Sequence, residues 1–223
     1  MIADPRLVSL DLCVRLGAGP AAWERALEAL WAWRPELIPV SVDELTTAGA
    51  APRPWVRGDS ARLASLLGGD TEASWELAGE LTGGYALRGR RQSRLTLTVG
   101  SATSEPTQML SEAVTISGRE VPVGLAMAFD PRSDDAELLF AGLHALGRLA
   151  PVTYLDAISI ARLGGTDHVA RAPCPVTRVD AGMILDVRPL DCHDPAAPCM
   201  IRAAAVADHL AVSPDAPISL LAE

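Results

Sequence analysis

The chain has 223 residues, 49% of them hydrophobic and 21% charged, with a formal net charge of −9 and a pI near 4.9. This is globular composition, long enough to bury a core as one domain, and too acidic for the basic footprint that nucleic-acid phosphates demand. All 19 basic residues are arginine, so no lysine can form a Schiff base or cradle a P-loop phosphate, which excludes pyridoxal enzymes and P-loop nucleotidases.

Residues 6–16 alternate strictly. Val8, Leu10, Leu12, Val14 and Leu16 point one way, and Ser9, Asp11, Cys13 and Arg15 the other, which predicts a first strand. The break 17–20 puts Pro20 at a helix start. Trp23, Ala26, Leu27, Leu30 and Trp31 then form one stripe of a helix over 21–33, ended by Pro35. Residues 37–58, with three prolines and an Ala/Gly/Thr patch, read as a long irregular loop anchored by Trp55. Asp59 or Ser60 can cap a short helix to Leu67, and Asp70 or Thr71 another to Leu81.

The stretch from Thr82 to Asp130 is the expected middle of the sheet. It opens on Gly83-Gly84, and strands are expected at 85–88, 94–100, 112–117 and 121–129, with a turn at 117–120. Leu95, Leu97 and Val99 alternate with threonines, and Val121, Val123, Leu125, Met127 and Phe129 take every odd position. Asp134 or Asp135 caps a helix to Leu149, buried through Leu139, Leu143 and Leu146. An extended run over 152–163 follows, then a loop over 164–178, a strand over 183–187, a polar segment and a last helix over 199–211. Groups of strands separated by helices predict one α+β domain over 1–223. Its sheet is mainly antiparallel, with five to seven strands and helices on one face.

The candidate sites are few. Cys174, Cys192, His193 and Cys199, with His168 and His209 near in sequence, offer zinc-type ligands, but their spacing matches no standard knuckle and loop cysteines explain it as well. Asp191, His193 and Asp194 could hold a divalent ion or move protons, or simply cap the next helix. Cys13 lies beside Arg15, and His144 lies in a helix. There is no G-x-S-x-G elbow, and the Gly-x-Gly after the first strand falls short of a dinucleotide fingerprint. Arg88, Arg90, Arg91 and Arg94 form the dense basic cluster, either an anion or acidic-partner site or a solvated hairpin tip that guards a sheet edge.

Several segments together are similar to immunity proteins of bacterial polymorphic toxin systems, nearest to the immunity protein 52 family. They are Gly83-Gly84 and Tyr85 before RLTLTVGS, then VPVGLAMAF, then ELLFAGLHALGRLAP, and AGMILDVRPLD before the last helix. The resemblance covers about residues 55–212. It implies a non-catalytic protein that binds and neutralises a cognate toxin, with the acidic charge suiting a basic toxin domain, and it implies no cofactor. Two other readings stay open. One is a metal-dependent hydrolase using residues 186–194. The other is a structural protein that forms small homo-oligomers through tryptophans or a sheet edge. The N-terminus lacks a basic n-region and an unbroken apolar core, and no apolar run is long enough to cross a bilayer, so a soluble cytoplasmic protein is expected.

Overall fold

Strand β1 (Arg6–Arg15) is the axis of the sheet. The computed structural model describes residues 6–15, 18–45, 55–67, 72–77, 83–89, 92–101, 105–129, 151–180, 182–187 and 198–210. The remaining strands are β2 (Pro39–Leu45), β3 (Glu72–Leu77), β4 (Gly83–Gly89), β5 (Gln92–Ser101), β6 (Val123–Phe129), β7 (Val152–Asp156), β8 (Val176–Val179) and β9 (Gly182–Asp186). They form one nine-stranded sheet in the order β2-β3-β4-β5-β1-β6-β7-β9-β8, and each of these pairings is antiparallel. β1 is paired along its whole length to β5, from Arg6 opposite Ser101 to Arg15 opposite Gln92, and to β6 on its other edge.

The alternation of β1 decides what packs on each side. Val8, Leu10, Leu12 and Val14 face α1 (Pro20–Trp33), α2 (Ser60–Leu67) and α3 (Pro106–Gly118), joining Trp23, Leu27, Leu30, Leu63, Leu67, Met109 and Leu110 in one core. The stripe expected on α1 is the buried one, and Pro20 is its first residue. Arg34, before Pro35, is extended and ends the helix. On the opposite face Cys13, Leu125, Met127, Leu155, Met183 and Leu185 form a second core. It includes Ile160 of α4 (Ala157–Arg162), Val169 of α5 (Thr166–Val169), Ala203 and Val206 of α6 (Pro198–His209), and Leu210 just after it.

The α+β class and the antiparallel sheet are as the sequence indicates. The sheet is wider than five to seven strands, and helices cover both faces rather than one. Five segments account for the difference, one of them the expected loop over 164–178, which holds the helix α5 and runs into the edge strand β8. Within the expected loop 37–58, residues 39–45 form an edge strand, and Trp55 anchors to it by donating from Nε1 to the Pro39 carbonyl at 2.8 Å. The expected helix over 70–81 is instead β3, because pairing to β2 and β4 outweighs the helix preference of its Glu, Ala and Leu residues. The expected strand over 112–117 is the second half of α3, whose buried Met109, Leu110, Ala113, Val114 and Ser117 recur at helical spacing behind Pro106 at its first turn. The extended run expected over 152–163 stops at Asp156, whose carboxylate accepts the Ser159 amide at 2.7 Å and starts α4. The helix expected over 134–149 and the polar segment over 188–197 lie outside the described residues.

Helix α6 is clasped to α5 by two histidines. His168 donates from Nε2 to the His209 carbonyl and His209 from Nε2 to the His168 carbonyl, both at 2.9 Å, with the rings stacked 4.3 Å apart. The sheet itself closes tightly where β9 meets β7. A Cβ on Gly182 would collide with the Leu155 carbonyl oxygen and the Tyr154 ring. Backbone cannot yield as a side-chain tip does, so Gly182→Ala should destabilise the fold by about 1–3 kcal/mol. Urea unfolding checks this, and a cost near zero would show that β9 does not approach β7 so closely.

Candidate functional site

Polar and charged groups gather where β1, β7 and the β8–β9 turn end. The register of β1 against β6 shifts between Cys13 and Val14, leaving Gly124 as the extra residue of a bulge. Past that bulge Arg15 reaches over β6 to Asp156. It donates from Nε to Oδ2 and from Nη2 to Oδ1, each at 2.8 Å, and from Nη2 to Ser159 Oγ at 3.1 Å. Ser159 is fully buried, and its hydroxyl donates to the Gly124 carbonyl at 3.3 Å. The two side chains of the ion pair are 10% and 14% exposed, so the fork-to-fork geometry works in a largely dry setting.

Burial pushes the Asp156 carboxyl up. The hydrogen bonds from Arg15 and Ser159, with the Arg15 charge, outweigh that and hold it below the ordinary carboxylate value. Tyr154 beside it is pushed up to about 12, first by burial and then by the carboxylates of Asp156 and Asp180. Tyr154 is therefore a neutral phenol at neutral pH, and Asp156 is a saturated anion with its oxygens committed to Arg15 and the α4 cap. Neither is poised to move protons.

Next to this knot lies a cavity of about 290 Å³ lined by α4, the start of α5 and the β8–β9 turn. Ala157, Ile160, Ala161 and Met183 supply apolar wall, while Arg178 and Asp180 supply opposite charges. Asp180 holds a left-handed backbone, φ 42°, which aspartate tolerates better than most residues. Sequence reading passes over this site. Its parts come from four separated segments, and only the pairing of β7 with β9 brings them together.

The residues singled out from the sequence fall elsewhere. Arg88 and Arg94 sit on the β4–β5 hairpin, opposite Ser93 and Leu87, and Arg90 and Arg91 lie outside the described residues. Cys199 is in the first turn of α6, Cys192, His193, Asp191, Asp194 and His144 lie outside the described residues, and Cys174 is half-buried before β8. Burial and the Asp186 carboxylate push the Cys174 thiol up, against the opposing pull of the Asp186 amide and of Arg202, so it is a poor thiolate. Asp186 accepts from Thr107 Oγ1 at 2.8 Å, which ties β9 to α3. Among the described residues no three His, Cys, Asp or Glu side chains group as a metal site, and each Nε2 of the His168–His209 pair is committed to a carbonyl. Cys13 is buried in the second core.

The sheet register exposes one further pattern. Asp43, Ser74, Tyr85, Thr96, Asp11, Met127, Thr153, Leu185 and Val176 stand opposite one another in a row across the strands. Cross-strand partners share a face. By register the second face is apolar over β6, β7 and β9 and mixed over β2 to β5, where Ser41, Glu72, Glu76, Thr98 and Arg94 share it with Leu45, Tyr85 and Leu87.

No protein-family model matches the chain, and no curated protein matches it. Among solved structures the fold is similar to that of the Pseudomonas aeruginosa T6SS protein PA0821, with a TM-score of 0.59 at 14% identity over 92% of this chain and 72% of that one.

The Arg15–Asp156 pair gives a direct test. Arg15→Ala strands a largely buried carboxylate and should cost about 3 kcal/mol of stability at neutral pH. The sign with pH follows from the lowered Asp156 value. Its contribution is whole above the ordinary carboxylate range and disappears as pH falls through the folded value. The stability gap between the native chain and Asp156→Asn should therefore narrow below about pH 4, as read by urea unfolding at each pH. A gap independent of pH would mean that Asp156 carries no charge-dependent role.

Proposed function

We infer that this chain is a non-catalytic protein-binding protein that neutralises a cognate bacterial toxin, in the manner of an immunity protein. The observation that carries the reading is the division of the sheet. Over β2 to β5 the register sets Leu95 on the face of the first core, and Ser41, Asp43, Glu72, Ser74, Glu76, Thr96 and Thr98 on the second face together with Leu45, Tyr85, Leu87 and Arg94. A face on which carboxylates alternate with hydroxyl and apolar residues suits a protein partner, and its carboxylates match the net charge of −9. The fold likeness to a T6SS protein fits a setting in which toxins are met, and the similarity to the immunity protein 52 family points the same way.

The partner suited to this face is a basic toxin domain. Asp43 pairs with Ser74, so Glu72 and Glu76 are its diagonal neighbours on the same face, and three carboxylates so placed would speed and orient the approach of a cation-rich surface. The arginine cluster Arg88, Arg90, Arg91 and Arg94, of which Arg88 and Arg94 lie on the β4–β5 hairpin, is suited to acidic groups on the same partner.

The experiment is co-purification of the full chain with a toxin domain encoded beside it. The native pair should elute together, with an association rate that falls as salt rises. The triple reversal Asp43→Arg, Glu72→Arg, Glu76→Arg should weaken binding at least about tenfold while leaving the melting temperature of the chain nearly unchanged. If the native chain fails to hold the toxin domain, the reading is overturned. If only Arg88→Glu with Arg94→Glu abolishes binding, the acidic face is not the surface.

A further inference from the structure

The cavity beside the β8–β9 turn plays no part in that partner face, and its chemistry is different. Arg178 and Asp180 are both exposed on its rim, and among the described residues neither is held by a hydrogen bond or an ion pair. The other wall is apolar, built from Ala157, Ile160, Ala161 and Met183. A ligand with one charge would pair with one rim group and be repelled by the other. A ligand with both charges and an apolar body satisfies the whole site. Its carboxylate would take the guanidinium fork, its ammonium the aspartate, and its side chain the apolar wall. The size agrees, since about 290 Å³ lies at the small end of ligand pockets and suits an amino acid rather than a nucleotide.

We propose that this cavity binds a free aliphatic α-amino acid, its carboxylate on Arg178, its ammonium on Asp180 and its side chain against Ile160 and Met183. The site stands independently of the toxin-binding reading, because β2 and β3 contribute no residue to it.

Isothermal titration of the full chain with L-leucine and L-methionine tests it. Binding should be saturable below about 10 mM, and leucinamide, which lacks the carboxylate, and 4-methylpentanoate, which lacks the ammonium, should each bind at least about tenfold more weakly. Arg178→Gln and Asp180→Asn should each lower L-leucine affinity by a similar factor. Both residues are exposed, and asparagine keeps the left-handed backbone, so both variants should fold as judged by circular dichroism. The absence of heat or of any thermal shift with either amino acid up to about 10 mM overturns the proposal, as does equal affinity for L-leucine, leucinamide and 4-methylpentanoate.

Discussion

Everything in this fold depends on one strand being buried from both sides. β1 is paired on both edges, and its two alternating sets of side chains look into two different cores. Leu10, Leu12 and Val14 need the α1–α3 layer, while Cys13 and the fully buried Asp11 are covered from the other side. A strand with both edges and both faces taken has no freedom of register, because a slip of one residue would exchange aliphatic for polar groups in both cores at once. The bulge at Cys13–Val14 is the one departure, and it comes at the end of the strand, where it turns Arg15 out of the ladder and onto Asp156.

From that axis the two wings of the sheet solve different problems. Over β6, β7 and β9 both faces are apolar, and helices lie on each: α3 on one side, and α4, α5 and α6 on the other. Short helices suffice there because each is pinned by a specific polar bond. Asp156 caps α4, and the reciprocal histidines hold α6 to α5. Over β2 to β5 the register puts Ala73, Trp75, Ala86, Leu95 and Leu97 on one face and a mixture of charged, hydroxyl and apolar residues on the other. That wing ends at β2, an edge strand broken by Pro39 and a register shift and carrying Asp43 and Glu44, features that discourage pairing with another sheet.

The sequence was most legible where a single period ran unbroken. β1 and α1 could be read nearly residue by residue, since alternation in one and the 3.6-residue stripe in the other each involve residues that reach the core. Reading failed where two signals competed. In residues 72–77 the alternation of Ala73, Trp75 and Leu77 was present, but helix-forming residues and a capping signal before them argued the other way, and only pairing to β2 and β4 decides the matter. In 106–118 the β-branched residues Val114, Thr115 and Ile116 suggested a strand, against a helical stripe that starts earlier at Met109. The charged knot and the cavity were illegible for a different reason. Arg15 and Asp156 are 141 residues apart, and no local pattern announces a contact fixed by strand order.

The charges of this protein fall into two kinds, and the distinction bears on where function lies. Arg15, Asp156 and Asp186 are consumed by the fold: each meets a partner from a distant element, and the lowered Asp156 value records how completely its charge is satisfied. Such groups are structural, because engaging a ligand would mean breaking a bond that holds strands and helices together. Arg178 and Asp180 are of the other kind. They stand within two residues of one another at a tight turn, beside an apolar wall, with their hydrogen-bonding capacity unspent among the described residues. The register also places Asp43, Glu72 and Glu76 near one another on a single face although they come from two strands.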